Sequence, residues 1–271
     1  MTLARNFAWL LLAAPLYAFA AEDVKLDRMP VDVNPNDPIS LQRGAQVYVN
    51  YCLGCHSASY MRYTRLQDLG LTEQQIRDNL VFTGVKVGEL MKVAIDPTEA
   101  KEWFGTMPPD LTVIARARAS HAGSGSDWLY TYLRTFYRDD TRPTGWNNIV
   151  FPNVGMPHVL WELSGVNKLV KGEFDDHEKA TAAAIGAKGL SMVEAQPGGK
   201  WAVLTVANET PGTMSRVEYE AFAADLVNYL DYMAEPSRNK RINIGIVVLL
   251  YLGVLFAFAY WMKRTYWKDV H

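Results

Sequence analysis

Cys52-Leu53-Gly54-Cys55-His56 spells Cys-x-x-Cys-His, the attachment signal for a c-type haem. Two thiols at this spacing add across the haem vinyl groups. The adjacent imidazole then falls beneath the iron, because one helical turn carries both thioethers and the ligand. Cys52 and Cys55 are the only 2 cysteines in the chain. A zinc site would need further ligands at matching spacing, and a thioredoxin-like dithiol does not require the histidine. The motif therefore predicts one haem c, held covalently through Cys52 and Cys55, with His56 on its iron.

Around this motif the 271 residues are 49% hydrophobic and 21% charged, a globular composition. The two ends hold part of the apolar share. Residues 1–20 carry one charge, Arg5, then an apolar run broken by Pro15, then Ala18-Phe19-Ala20. This is a signal peptide, with cleavage expected after Ala20 or, as the alternative, after Ala21. The run is too short to span a bilayer. Its removal takes 1 of the 27 basic residues and leaves 26 against 29 acidic ones. A mildly acidic chain without a basic patch argues against nucleic acid as a partner.

Residues 242–262 carry no charge, and as a helix they would reach about 31 Å, close to the hydrocarbon thickness of a bilayer. Basic residues flank both ends of this span, so charge alone does not orient it. The signal peptide does. Export places residues 21–241 in the periplasm as a haem domain, 242–262 in the bacterial inner membrane, and 263–271 in the cytoplasm as a short tail.

Between the ends, Ser40 is expected to cap a helix running from Leu41 to about Cys52, with Gly44 on its apolar stripe allowing another helix to cross closely. Thr72 to Gln75 and Asp96-Pro97 read as further helix starts, and Ser126 as the cap of an aromatic helix over 127–137. Residues 139–158 are dominated by turn formers, and a loop of that length inside a compact domain is usually functional. Residues 201–206 are expected to pair with 189–195 as a hairpin. Ser215 and Glu218 open a helix to Met233, stopped by Pro236.

The iron needs a second axial partner opposite His56. A thioether gives a low-spin haem of raised potential, suited to electron transfer, whereas an empty position would allow ligand chemistry. Met156, between Gly155 and Pro157, and Met107, before Pro108-Pro109, sit in loops stiffened by proline. Met192, Met214 and Met233 lie in or beside regular elements and read as packing. His158 and His121 remain as bis-histidine alternatives. Arg118 is a candidate partner for a haem propionate, since a forked guanidinium suits a carboxylate at the edge of an apolar crevice. Its alternative is a solvated charge at a helix end.

The run Leu41 to Tyr48 leading into Cys52–His56 resembles the cytochrome c1 family, the haem subunits of cytochrome bc1 complexes. So do Pro108-Pro109-Asp110-Leu111 running into Arg116-Ala117-Arg118, Gly155-Met156, Thr213-Met214-Ser215, and Ala234-Glu235-Pro236 before a single anchor. The resemblance implies that Met156 is the axial ligand, that Arg118 pairs with a propionate, and that Pro108 and Pro109 pack at the haem crevice. It sets Trp128 where many relatives carry a propionate-binding tyrosine. It further implies a mainly α, class I cytochrome c fold with loop and small β-hairpin insertions, plus the transmembrane helix.

The function it implies is electron transfer from a Rieske iron–sulfur protein to a soluble or membrane-bound cytochrome c, beside cytochrome b, in a dimeric complex. Such a subunit is no enzyme on its own. The competing classes are a tethered monohaem cytochrome serving another respiratory enzyme, and an open-site haem enzyme or sensor. Glu173, Asp175, Asp176 and Glu178 form the densest acidic group, read first as a solvated loop and second as a docking patch for a basic cytochrome.

Overall fold

Asp37 and Pro38, rather than Ser40, start the helix that leads into the haem motif. In the computed structural model, which describes residues 26–30, 34, 36–93, 95–187 and 190–268, the Asp37 carboxylate accepts from the Ile39 N–H and caps α1 (Pro38–Val47). Ser40 is buried instead, its hydroxyl donating to Asp225 over 2.6 Å. The expected signal peptide lies outside the described residues. α1 passes into a π-helical turn, Tyr48–Cys52, so the apolar stripe reaches the motif on a widened last turn.

Strand β1 (Ala58–Arg62) follows and pairs with β2 (Leu90–Met91). A 3-10 helix (Tyr63–Leu69) and α2 (Glu73–Leu80) lie between them, the latter opened by the Thr72–Gln75 capping box. α3 (Pro97–Phe104) begins at Asp96-Pro97 and stops at Gly105. After the short α4 (Ile114–Ala117), α5 (Gly125–Arg134) is capped by Ser124 with Asp127, two residues ahead of the expected Ser126. A Cβ on Gly125 would lie 1.7 Å from the Ala115 carbonyl oxygen, so only glycine lets α5 start against α4. α5 ends before Tyr137, because β3 (Phe136–Arg138) pairs with β4 (Trp146–Asn148), a strand within the 139–158 span expected to be loop.

Beyond α6 (Trp161–Ser164), the expected hairpin is larger than a hairpin. β5 (Gly165–Phe174), α7 (His177–Gly186), β6 (Leu190–Gln196) and β7 (Lys200–Pro211) give an antiparallel sheet of order β5-β7-β6 with α7 against it. β5 hides from a period-2 reading because Lys168, Lys171, Gly172 and Glu173 interrupt its apolar residues. The four acidic residues straddle the β5–α7 junction, where Asp176 caps α7 rather than sitting in a free loop.

α8 (Arg216–Ala234) starts from the Ser215–Glu218 capping box and crosses α1 at Gly44. A Cβ there would lie 2.1 Å from the Asp225 carbonyl oxygen and 2.7 Å from Tyr229 Cβ. Leu41, Ala45 and Tyr48 pack on Leu226, Tyr229, Leu230 and Met233, all buried. Arg43 grips the Asp225 carboxylate with two nitrogens at the rim of the same crossing.

Three residues, 235–237, join α8 to α9 (Arg238–Tyr266), which extends the expected 242–262 span at both ends. Its segment 240–266 contains an 18-residue window of mean hydropathy 2.5, lies on the outside of the chain, and is long and apolar enough to cross a membrane. Glu235 pairs with Arg116 of α4 and with Arg241 of α9, and Asp231 pairs with Arg238, so ion pairs brace the junction.

Gly44→Ala should therefore destabilise the detergent-solubilised protein by about 1–3 kcal/mol, because the methyl meets backbone that cannot step aside. Gly44→Val should cost more. Chemical unfolding followed by circular dichroism measures both, and an unchanged midpoint for Gly44→Ala would contradict the close crossing.

Candidate haem site

The motif folds as a tight turn. The His56 N–H donates to the Cys52 carbonyl over 2.8 Å and the Cys55 N–H to the same oxygen over 3.0 Å. One turn separates Cys52 from His56, as the spacing requires. Both thiols are free and half-buried. Burial, with Cys55 adding to it, pushes the Cys52 thiol up to about 12, the reverse of what a reactive redox thiolate needs. Among the described residues no group of three or more His, Cys, Asp or Glu gathers as a metal cluster.

His56 is buried and oriented. Its Nδ1 lies 2.8 Å from the Pro109 carbonyl oxygen, the Tyr48 hydroxyl donates to its backbone carbonyl over 2.8 Å, and Nε2 has no hydrogen bond among the described residues. Burial pushes the imidazole below its ordinary value, against the opposing pull of the Pro109 carbonyl. A neutral ring whose Nδ1–H is spent on a carbonyl presents the lone pair of Nε2, the arrangement expected of an oriented ligand. Pro109 thus does more than the packing expected of it. The loop that carries it is pinned by Asp110, which accepts from the Ser59 and Thr112 N–H groups, and by the Leu111 N–H on the Ser57 carbonyl. Pro108 is half-buried and Pro109 exposed at this rim.

Arg118 and Trp128, the two expected propionate partners, lie against each other. The guanidinium carbon of Arg118 sits 4.4 Å above the Trp128 ring and 5.2 Å from the Phe151 ring. Its Nε is buried without a hydrogen-bond partner. A charged donor left unsatisfied among aromatic rings is costly by itself and suits an anionic group of a bound molecule. The donor set of thiols, oriented imidazole and unpaired guanidinium therefore fits a haem with its propionates.

Met156 is half-buried and packs with Phe136, Trp146 and Val154. The Tyr132 hydroxyl lies 3.4 Å from its sulfur. Two asparagines that the sequence offered only as turn formers organise its loop. Asn148, fully buried, accepts on Oδ1 from the N–H groups of Val150 and Phe151 and from the Thr135 hydroxyl, and donates from Nδ2 to the Tyr132 carbonyl over 2.8 Å. Asn147 accepts from the Asn148 and Asn153 N–H groups and donates to Asp139. Asn153 adopts a left-handed φ of 62° and is held by Arg142. Ile149 of the same loop packs on Met192 of β6 and Val206 of β7, so the sheet backs the loop.

The alternative ligands are placed otherwise. His158 is buried, stacked on Phe136 with centroids 4.7 Å apart, and its Nε2 meets the Ser164 hydroxyl at 2.8 Å. Burial pushes its imidazole down to about 4. His121 is exposed in the turn before α5, and Met107 is half-buried in the loop after α3. Met192 and Met233 are buried packing residues, as expected.

The chain matches the family model described as the Cytochrome C1 family over residues 33–188 and 203–270. It is 44% identical over 271 residues to a protein of Nitrosomonas europaea called ammonia monooxygenase gamma subunit, covering 98% of this chain and 100% of that one. It is 43% identical over 264 residues to the cytochrome c1 of Allochromatium vinosum, covering 97% of each. To the mitochondrial cytochrome c1 haem protein of Saccharomyces cerevisiae it is 25% identical, over 86% of this chain and 68% of the yeast protein. A match of this extent, on a chain whose thiols, imidazole and guanidinium suit a covalent haem, means that the protein belongs to the cytochrome c1 family.

Proposed function

We propose that this chain is the haem-bearing subunit of a bacterial cytochrome bc1 complex, taking electrons from the Rieske protein and passing them to a cytochrome c. Members of the family carry one covalently bound haem c and work beside cytochrome b and the Rieske protein as electron-transfer subunits, not as enzymes in their own right. The observation that carries the reading is the His56 ring, tied through Nδ1 to Pro109 while its other nitrogen makes no hydrogen bond among the described residues, in a motif whose two thiols are free.

When bound, the haem supplies a one-electron iron couple. Cys52 and Cys55 would attach it, His56 and Met156 would bind its iron, and Arg118 with Trp128 would meet a propionate. Pro108 and Pro109 form the crevice wall, and Pro109 also keeps the His56 ring from rotating. A ligand loop held by Asn147 and Asn148 is stiff, and little reorganisation on changing oxidation state is what fast electron transfer requires. In this reading the domain is a class I cytochrome c unit, with α1 and α8 as its crossing helices and residues 139–158 closing over the haem. Residues 21–241 face the periplasm, α9 packs on cytochrome b in the inner membrane, and the complex is dimeric. The acceptor is a soluble or tethered cytochrome c.

Axial closure by a thioether also separates this reading from an open-site haem enzyme, and from any oxygenase role that the Nitrosomonas relative's name suggests. Met156→Ala should turn the ferric haem high-spin, open the ferrous form to carbon monoxide, and lower the midpoint potential. A variant that stays low-spin at the original potential removes Met156 as the ligand.

Asn148→Ala leaves buried N–H and carbonyl groups without partners and should cost about 2–4 kcal/mol. The loss should appear first at the loop. The long-wavelength absorption of thioether-bound ferric haem should fade at lower denaturant concentration than the helical circular dichroism. Coincident transitions, as in the parent protein, would show that Asn148 does not hold the ligand.

A further inference from the structure

We propose that Tyr132 is a positioning residue for the electron-transfer reaction: its hydroxyl donates to the sulfur of Met156 and raises the haem potential without touching the iron. The inference rests on Met156 being the axial ligand. Tyr132 lies on α5 with its hydroxyl 3.4 Å from Met156 Sδ, within reach for a sulfur acceptor, and among the described residues this hydroxyl has no other hydrogen-bond partner. The ring is fixed on two sides, stacked on Trp128 with centroids 4.9 Å apart and edge-on to Phe136 at 5.0 Å. The Tyr132 carbonyl accepts from Asn148 Nδ2 over 2.8 Å, so donor and sulfur are held to each other by the same asparagine.

A thioether sulfur has two lone pairs. One binds iron, and the other is free to accept a proton donor. Donation draws electron density from the sulfur and weakens its bond to ferric iron more than to ferrous iron. The reduced state gains. Hydrogen bonding to a ligand from outside the metal's own coordination sphere is a recognised control of potential. A neutral hydrogen bond of about 1 kcal/mol corresponds to roughly fivefold in the balance between the oxidation states, which at 59 mV per tenfold for one electron is about 40 mV. Methionine sulfur is a weak acceptor, so that figure is an upper bound.

Tyr132→Phe in the full-length haem protein, in mild detergent, tests this. The ring contacts survive, so the covalent haem and the long-wavelength thioether band should remain while the midpoint potential falls, by up to about fivefold in the ratio of ferric to ferrous protein at fixed applied potential. A potential equal to the parent's, with the band intact, overturns the proposal. Met156→Ala measured in parallel keeps the two readings apart: loss of the band there confirms the ligand independently of the tyrosine result. Should Tyr132→Phe not retain haem, the reduced parent protein with methyl-labelled methionine gives a second test. A nuclear Overhauser effect between the Tyr132 hydroxyl proton and the Met156 methyl group supports the bond, and a hydroxyl proton that exchanges too fast to be seen overturns it.

Discussion

Helix α1 lies against α8 only because position 44 carries no side chain. The carbonyl oxygen of Asp225 occupies the space a methyl group would need, so the two backbones meet with nothing between them. That approach aligns Leu41, Ala45 and Tyr48 with Leu226, Tyr229, Leu230 and Met233, and the main core grows from this seam. Close-packed interiors transmit displacement instead of absorbing it. A shift of α1 would carry Cys52 with it, and Tyr48 would lose its grip on the His56 carbonyl. The position of the imidazole side of the site is thus decided a full turn or more before the motif begins.

The methionine side is built from different materials. Its loop buries Trp146, Ile149, Val150 and Val154, and beyond the short β3–β4 pair polar side chains replace regular secondary structure there. Asn147 and Asn148 satisfy backbone groups of a buried segment that neither a helix nor a strand could pair. Fully connected networks of this kind define one geometry in a low-dielectric setting, and they fail sharply when a member is lost. Behind the loop, β6 and β7 supply Met192 and Val206 as an apolar backstop for Ile149. The sheet therefore belongs to the support of the candidate ligand.

Local chemistry was the readable part of this fold. Capping boxes at Thr72 and Ser215, the Asp96-Pro97 start, and the apolar span after Pro236 all announce themselves through neighbours three or four residues away. The crossing at Gly44 was legible because a glycine on an apolar stripe leaves room there for a second backbone. Long-range contacts left fainter marks. Ser124 rather than Ser126 caps α5, since the choice depends on how Gly125 meets Ala115 in another helix. β5 stayed hidden because its pairing with β7, not its own periodicity, makes it a strand. For the candidate site, spacing singled out Cys52, Cys55 and His56, and chemistry and resemblance singled out Arg118 and Trp128. Tyr132, Asn148 and the carbonyl of Pro109 act through tertiary hydrogen bonds. No motif in one dimension encodes those.

The braced junction at residues 235–237 has a mechanical corollary. A long polar linker would let a haem domain roam over the membrane like a buoy on a rope. Here the chain leaves α8 and enters α9 almost at once, and Glu235 and Asp231 are bolted to arginines on both sides of the bend. With α9 in the membrane as proposed, so short a connection holds the domain close to the lipid. A connection of three residues leaves the domain a short reach of its own, and the longer the distance between electron donor and acceptor, the more of it the visiting molecules cover.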